Sequence, residues 1–291
     1  MIVDAHQHFW RLDDPGRTWP PGGLAAIHRD FAPHDLAPLL KEHRIGATVL
    51  VQSMECARET VRMLEVAERT PWIAGVVGWT DLKAPDAAAL IGQLAGHPKL
   101  RGLRPMLQGL KDDNWIDDAA LRPAVEAMLA GGLAFDALVT PRHLPALFAF
   151  ACRYPTLPVV IDHAGKPPIR SGELARWSAD MAHLATLPNV VCKLSGLVTE
   201  ASPEWKVRDL LAPVEHVLDY FGPQRILWGS DWPVLNLACD YAHWFYVSRA
   251  MLAHLNQGEC AAIFGGNARR VYRLDVPATN FNQKQDNQGT S

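Results

Sequence analysis

The fold that this sequence predicts is a single-domain (β/α)8 TIM barrel, and three observations carry it. Eight short runs rich in Val, Ile and Leu recur along the chain. Segments with the apolar spacing of helices lie between them. Polar chemistry sits at both ends of the series, with His6 and His8 near the start and Asp231 near the finish. Closing the first strand against the eighth brings those side chains together, whereas an open sheet gives no reason for the pairing. The 291 residues suit one such barrel, which typically takes ~250.

In chain order, the expected strands run from Ile2 to His8, Ala47 to Ser53, Ile73 to Thr80 and Leu100 to Leu107. The second half adds Ala134 to Val139, Val159 to His163, Val190 to Ser195 and Arg225 to Asp231. Runs such as Thr48-Val49-Leu50-Val51 and Val159-Val160-Ile161 are apolar on both faces, as parallel strands under a helical layer require. Helices are expected over 60–69, with Val61, Leu64 and Val66 among charges, and over 121–130, where Pro123 suits a first turn. Arg11 to Pro33 carries Pro15-Gly16, Pro20-Pro21 and Gly22-Gly23 and is too long for an ordinary βα connection. Following the first strand, it would lie on the active-site face as a lid or as a passive surface loop. Residues 1–276 are expected to form the barrel and residues 277–291, rich in Asn and Gln, a polar tail.

Composition narrows the partners. The formal charge of −3 and the absence of any long Lys/Arg run argue against nucleic acid. No apolar stretch approaches the ~20 residues of a membrane span, and no leader pattern precedes His6. Five scattered cysteines without a CxxC pair read as reduced thiols, which suggests a cytoplasmic protein. A small-molecule substrate is expected, and self-association as a homo-oligomer stays open.

The sharpest local signal is His6-Gln7-His8. Side chains at i and i+2 of a strand share a face, so both imidazoles can enter the barrel mouth and share one metal ion. Asp4 has the same parity and could support them from below. Histidine pairs also occur as merely hydrogen-bonded structural groups. His163 stands where the sixth strand stops in Ala164-Gly165-Lys166-Pro167, either at the lip of the site or as a core histidine. Asp231 ends the eighth strand in Trp228-Gly229-Ser230-Asp231-Trp232-Pro233, where barrels keep catalytic groups, although a helix N-cap is the bland alternative. Together His6, His8, His163 and Asp231 make a plausible three-nitrogen, one-oxygen set for Zn2+ or a similar ion.

Arg104 and Lys193 are further catalytic candidates, as cations at strand ends that suit a carbonyl-bearing substrate or else form internal salt bridges. Substrate-binding candidates are Gln52, Gln108 and Ser195 for hydroxyls and Trp79, Trp115 and Trp232 for stacking, each with a packing role as its alternative. Parity turns Cys192 away from Lys193, which disfavours a nucleophilic thiol. There is no GxSxG elbow and no GxGxxG after the first strand.

These motifs resemble the amidohydrolase superfamily. The resemblance rests on Val3-Asp4-Ala5-His6-Gln7-His8-Phe9-Trp10, Asp162-His163-Ala164-Gly165-Lys166-Pro167, Cys192-Lys193-Leu194-Ser195-Gly196-Leu197, Leu227-Trp228-Gly229-Ser230-Asp231-Trp232-Pro233 and the ending Phe264-Gly265-Gly266-Asn267-Ala268-Arg269. More narrowly, the resemblance is to the branch of metal-dependent barrels that contains sugar lactonases, such as L-fuconolactone and L-rhamnonolactone hydrolases. It implies that His6 and His8 are first-strand ligands, His163 the sixth-strand histidine, and Asp231 the eighth-strand ligand or base. The fifth strand, Phe135-Asp136-Ala137-Leu138-Val139-Thr140, lacks the Lys or His that helps build a binuclear centre in many relatives. One divalent ion is therefore expected, with zinc foremost, and a weakly metallated or metal-free site also open. The expected reaction is hydrolysis of an aldonolactone to its aldonic acid. Decarboxylation of an aromatic acid and a non-catalytic ligand-binding barrel are the alternatives.

Overall fold

The computed structural model describes residues 1–276; the expected tail at 277–291 lies outside the described residues. Eight parallel strands follow one another around a single sheet in chain order. They are β1 (Ile2–Gln7), β2 (Ile45–Val51), β3 (Ile73–Gly78), β4 (Leu100–Leu103), β5 (Ala134–Ala137), β6 (Val159–Ile161), β7 (Val190–Leu194) and β8 (Ile226–Trp228). The outer layer includes α1 (Pro33–Glu42), α2 (Ala57–Arg69), α3 (Ala87–Ala95), α4 (Arg122–Gly131), α5 (Leu144–Arg153) and α6 (Leu174–Ala185). It continues through α7 (Leu197–Glu200), α8 (Val207–Phe221), α9 (Tyr241–Met251), α10 (Gln257–Ala261) and α11 (Asn267–Val271).

The runs that are apolar on both faces do two jobs. Val49, Val51, Val77, Val160, Val191 and Leu227 pack with one another and with Tyr272 inside the barrel. Leu50, Val76, Ile161, Cys192, Leu194 and Trp228 face outward to meet helical side chains such as Leu36, Met63, Leu147 and Trp177. Helix α2 starts three residues before its expected position. It buries Thr60, Met63, Leu64 and Ala67, the i, i+3, i+4, i+7 stripe, while Val61 is exposed.

All eight strands form where the apolar runs lie, and all eight end earlier than expected. After β6 and β8 the reason is backbone conformation at the mouth. His163, Ala164 and Asp231 have φ of 53°, 51° and 60°, and the left-handed region is incompatible with a strand. His163 and Asp231 therefore stand just past their strands, on the lip.

Closure of the barrel uses the same lip. β8 stops at Trp228, and the seam to β1 is made beyond it, by Asp231 N–H donating to His6 O (2.8 Å) and His8 N–H donating to Trp232 O (2.7 Å). The Asp4 carboxylate strengthens the seam by accepting from Ser230 N (2.8 Å), His6 N (3.2 Å) and Tyr241 OH (2.9 Å). Its expected position beneath the two imidazoles is not observed. β1 shifts register against β2 between Asp4 and Gln7, and Asp4 turns to α9 instead. Burial pushes its carboxyl up to about 6, against the hydrogen bonds that it accepts.

Candidate active site

The mouth of the barrel holds a cavity of about 600 Å3. His8, Arg104, Gln108, His163 and Asp231 line it, together with Trp19 from the loop after β1, Met54, Met106 and Lys166. His6 lies just beneath, fully buried.

His6, His8, His163 and Asp231 converge. Asp231 Oδ1 is 3.3 Å from His8 Nε2, 3.6 Å from His6 Nε2 and 3.9 Å from His163 Nε2. The Nε2 atoms of His6 and His8 are 3.1 Å apart. Ligands at zinc–nitrogen distances of ~2.0–2.1 Å around a tetrahedral ion are spaced by roughly 3.3 Å. His6, His163 and Asp231 each offer a donor atom within 4.8 Å of the others. These three donors thus fit a divalent cation in chemistry and spacing, and His8 Nε2 lies beside His6 and Asp231 but outside that mutually spaced group.

Each imidazole is oriented from behind. His8 Nδ1 is bonded to Val51 O (2.8 Å), His163 Nδ1 to Ser195 Oγ (2.9 Å), and His6 Nδ1 lies 3.4 Å from Asp162 Oδ1 and 3.2 Å from Lys193 Nζ. Support of this kind leaves the Nε2 atoms turned to the common point. Burial lowers His6 well below its ordinary range and His163 to about 4, so at neutral pH these rings are neutral, the state in which imidazole coordinates. Burial opposes ionisation of Asp231, but the surrounding imidazoles more than offset it and hold the carboxyl below the usual range. With His6 and His163 neutral beside it, the Asp231 carboxylate can bind a cation or accept a proton from water.

Beneath lies a buried ionic floor. Lys193 Nζ is 2.6 Å from Asp136 Oδ2 and 3.0 Å from Asp162 Oδ1, and all three side chains are fully buried. Arg104 donates to Asp162 Oδ2 (3.1 Å) and to Gln52 O (2.5 Å). Tyr272 OH donates to Asp136 (2.6 Å) from below. Burial opposes the charge on Asp162, yet Lys193, His6 and Arg104 hold its carboxyl well down. Asp136 is pushed up by burial despite Lys193.

The structure does not bring every expected side chain to the cavity. Lys193 is consumed by Asp136 and Asp162 and has no access to the mouth. Gln52 is buried and donates to Arg104 O, and Ser195 is buried behind His163, so neither faces the cavity. Trp79 presents its main chain to Thr60 Oγ1, and Trp115 lies under Lys83, away from the mouth. Trp232 is packed against Phe9 and Phe31. Asp231 does not cap a helix through its side chain; its main-chain oxygen accepts from Leu235 N instead. Cys192 is buried, which pushes its thiol up and makes it inert. The residues passed over by sequence reasoning include Asp162, Asp136, Trp19, Met54, Met106 and Lys166. Two cations aimed into one barrel needed carboxylate partners, and that charge balance was the available signal for the aspartates.

Gly196 exposes how tightly His163 is held. Its φ is 63°, and a Cβ there would come within 2.5 Å of His163 Nδ1. Gly196→Ala is expected to displace the ring and cut turnover about 10- to 100-fold, the usual cost of disturbing a ligand's support. Comparing kcat with the melting temperature separates that loss from unfolding.

A family model described as amidohydrolase matches residues 3–274. The chain belongs to the amidohydrolase family. It is 53% identical to an L-fucono-1,5-lactonase of Burkholderia ambifaria over 95% of this chain and 97% of that protein. It is 40% identical to an L-fucono-1,5-lactonase of Burkholderia multivorans over 96% and 98% respectively. A crystal structure of a Burkholderia multivorans amidohydrolase with bound zinc superposes with a TM-score of 0.90 at 40% identity, covering 94% of this chain and 99% of that one. In this amidohydrolase, no helix among the described residues is long and apolar enough to cross a membrane.

Proposed function

We propose that the chain hydrolyses a sugar lactone to its aldonic acid, with L-fucono-1,5-lactone as the first substrate to test and zinc as the ion. The observation that carries this reading is Asp231, a carboxylate held below its usual range beside three imidazoles on the floor of a cavity of about 600 Å3. The two lactonase relatives favour it over decarboxylation and over binding without turnover.

His6, His8, His163 and Asp231 would hold a divalent ion, which would supply Lewis acidity and lower the pKa of nearby water. Asp231 accepts a proton from the attacking water, whose oxygen adds to the lactone carbonyl carbon. Arg104, which lines the cavity, donates to the oxygen that gains charge; Lys193, buried below, acts only by fixing Asp162. When the carbonyl re-forms, the ring C–O bond breaks and Asp231 returns its proton to the departing oxygen. The product is the open-chain hydroxy acid.

A pH-indicator screen of aldonolactones with purified protein, with and without chelator, tests both parts. Acid release from an L-configured 1,5-lactone is expected, falling at least about tenfold after chelation and returning with zinc. No acid from any lactone would remove the lactonase reading. Full activity after verified removal of metal would remove the ion from it.

A further inference from the structure

A second buried ionic cluster lies outside the catalytic group, in the loop after β1. Arg17 is almost wholly buried, with its side chain 2% exposed. One of its terminal nitrogens donates to Trp19 O (3.1 Å) and Ser53 Oγ (3.1 Å), the other to Glu59 Oε1 (3.0 Å) and Asp14 Oδ2 (3.3 Å). Glu59, at the start of α2, also accepts from the amides of Ser53 and Met54 (both 2.9 Å) and from Ser53 Oγ. Asp14 is further paired with Arg62. Two cations thus meet two carboxylates, and all four carboxylate oxygens accept hydrogen bonds. Arg17 Nε alone has no partner, and a buried cluster of this kind confers a defined geometry rather than net stability.

What that geometry fixes is one side of the cavity. Gly16, Thr18 and Trp19 of the loop line it, as do Ser53 and Met54 beyond β2. Arg17 is bonded to members of both groups. The base of the loop is closed as well, by reciprocal main-chain bonds between Trp10 and Phe31 (3.1 and 2.9 Å). The Trp19 ring rests edge-to-face on Trp10 (5.0 Å between centroids). A lid that swings on each turnover would have to break this buried cluster, whereas a wall would keep it.

We infer that Arg17 is a positioning residue that holds the loop as a fixed wall of the substrate cavity, so that discrimination between lactones is set partly from outside the catalytic group. The planar guanidinium reaches four acceptors at once, which a lysine ammonium on a flexible stem does not reproduce. The substrate named rests on the lactonase reading; the ordering of the wall does not.

The test compares wild type, Arg17→Lys and Arg17→Met, with Arg11→Ala as a control in the same loop at an exposed ion pair. Two readouts are taken: hydrogen exchange of residues 12–31, and kcat and KM for two 1,5-lactones that differ only in carrying a methyl or a hydroxymethyl group on the ring. In Arg17→Lys, loop exchange is expected to rise at least tenfold. KM should increase about tenfold with kcat within about twofold, and the preference between the two lactones should shrink at least about threefold. Arg11→Ala should match wild type in every respect. Loop exchange unchanged in both Arg17 variants overturns the inference, and so does increased exchange with KM and preference intact. If wild-type protein opens neither lactone, the lactonase reading falls separately, while exchange still decides whether Arg17 holds the wall. If Arg17→Met does not fold, Arg17→Lys decides alone.

Discussion

Asp231→Asn is expected to lower kcat/KM by a factor of about 10² to 10⁴, the usual contribution of a positioned general base, while the protein stays folded. The substitution keeps the shape of the side chain. It also keeps the backbone, because the φ of 60° at this residue is one that Asn adopts readily. The seam bond from Asp231 N to His6 O is main-chain and survives. What is lost is the negative charge facing His6, His8 and His163, and with it both the affinity for a cation and the ability to take a proton from water. Steady-state kinetics with a thermal melt on the same sample make the comparison. Near wild-type turnover would remove Asp231 from the chemistry.

Lys193→Met should have the largest effect on stability, costing about 3–5 kcal/mol because it strands two buried carboxylates. The ammonium is fully buried between Asp136 and Asp162, with the Tyr272 ring 5.3 Å away. Asp136 is already pushed up by burial and can escape by protonation. Asp162 keeps Arg104 (3.1 Å), so part of the charge remains compensated. For a chain of this size the melting temperature should fall on the order of 10 °C. Adding Asp136→Asn to Lys193→Met should recover part of that loss, since it removes the carboxylate that the ammonium contacts most closely. Equal melting temperatures for the single and double variants would show that the pair is not coupled. A wild-type melting temperature for Lys193→Met would overturn the structural role altogether.

The frame of the molecule was readable because a parallel strand covered on both sides must be apolar on both faces, and eight such runs stand out. The convergence of His6, His8, His163 and Asp231 was readable for a related reason: they fall at the ends of those runs, where a barrel gathers its side chains. Which cations reach the cavity was not readable. Arg104 falls one residue past β4 and lines the mouth, whereas Lys193 lies within β7, where Asp136 and Asp162 hold it buried. The tryptophans misled in the same way. Trp79, Trp115 and Trp232 sit near strand ends or connecting loops yet pack elsewhere, whereas Trp19 lines the cavity from within a loop that has no periodicity to read. Arg17 is joined to Ser53 and Glu59 across 36 and 42 positions of sequence, and pairings that distant leave no local pattern. The parity argument for Asp4 failed for a local reason, a register shift within β1.

Zinc-edge anomalous diffraction from crystals of the zinc-loaded protein tests the central claim most directly. One strong peak is predicted, lying among the Nε2 atoms of His6, His8 and His163 and the carboxylate of Asp231, and absent from crystals of Asp231→Asn grown at the same zinc concentration. A peak elsewhere, a second peak of equal height beside Asp136 and Asp162, or an unchanged peak in the Asp231 variant would contradict it.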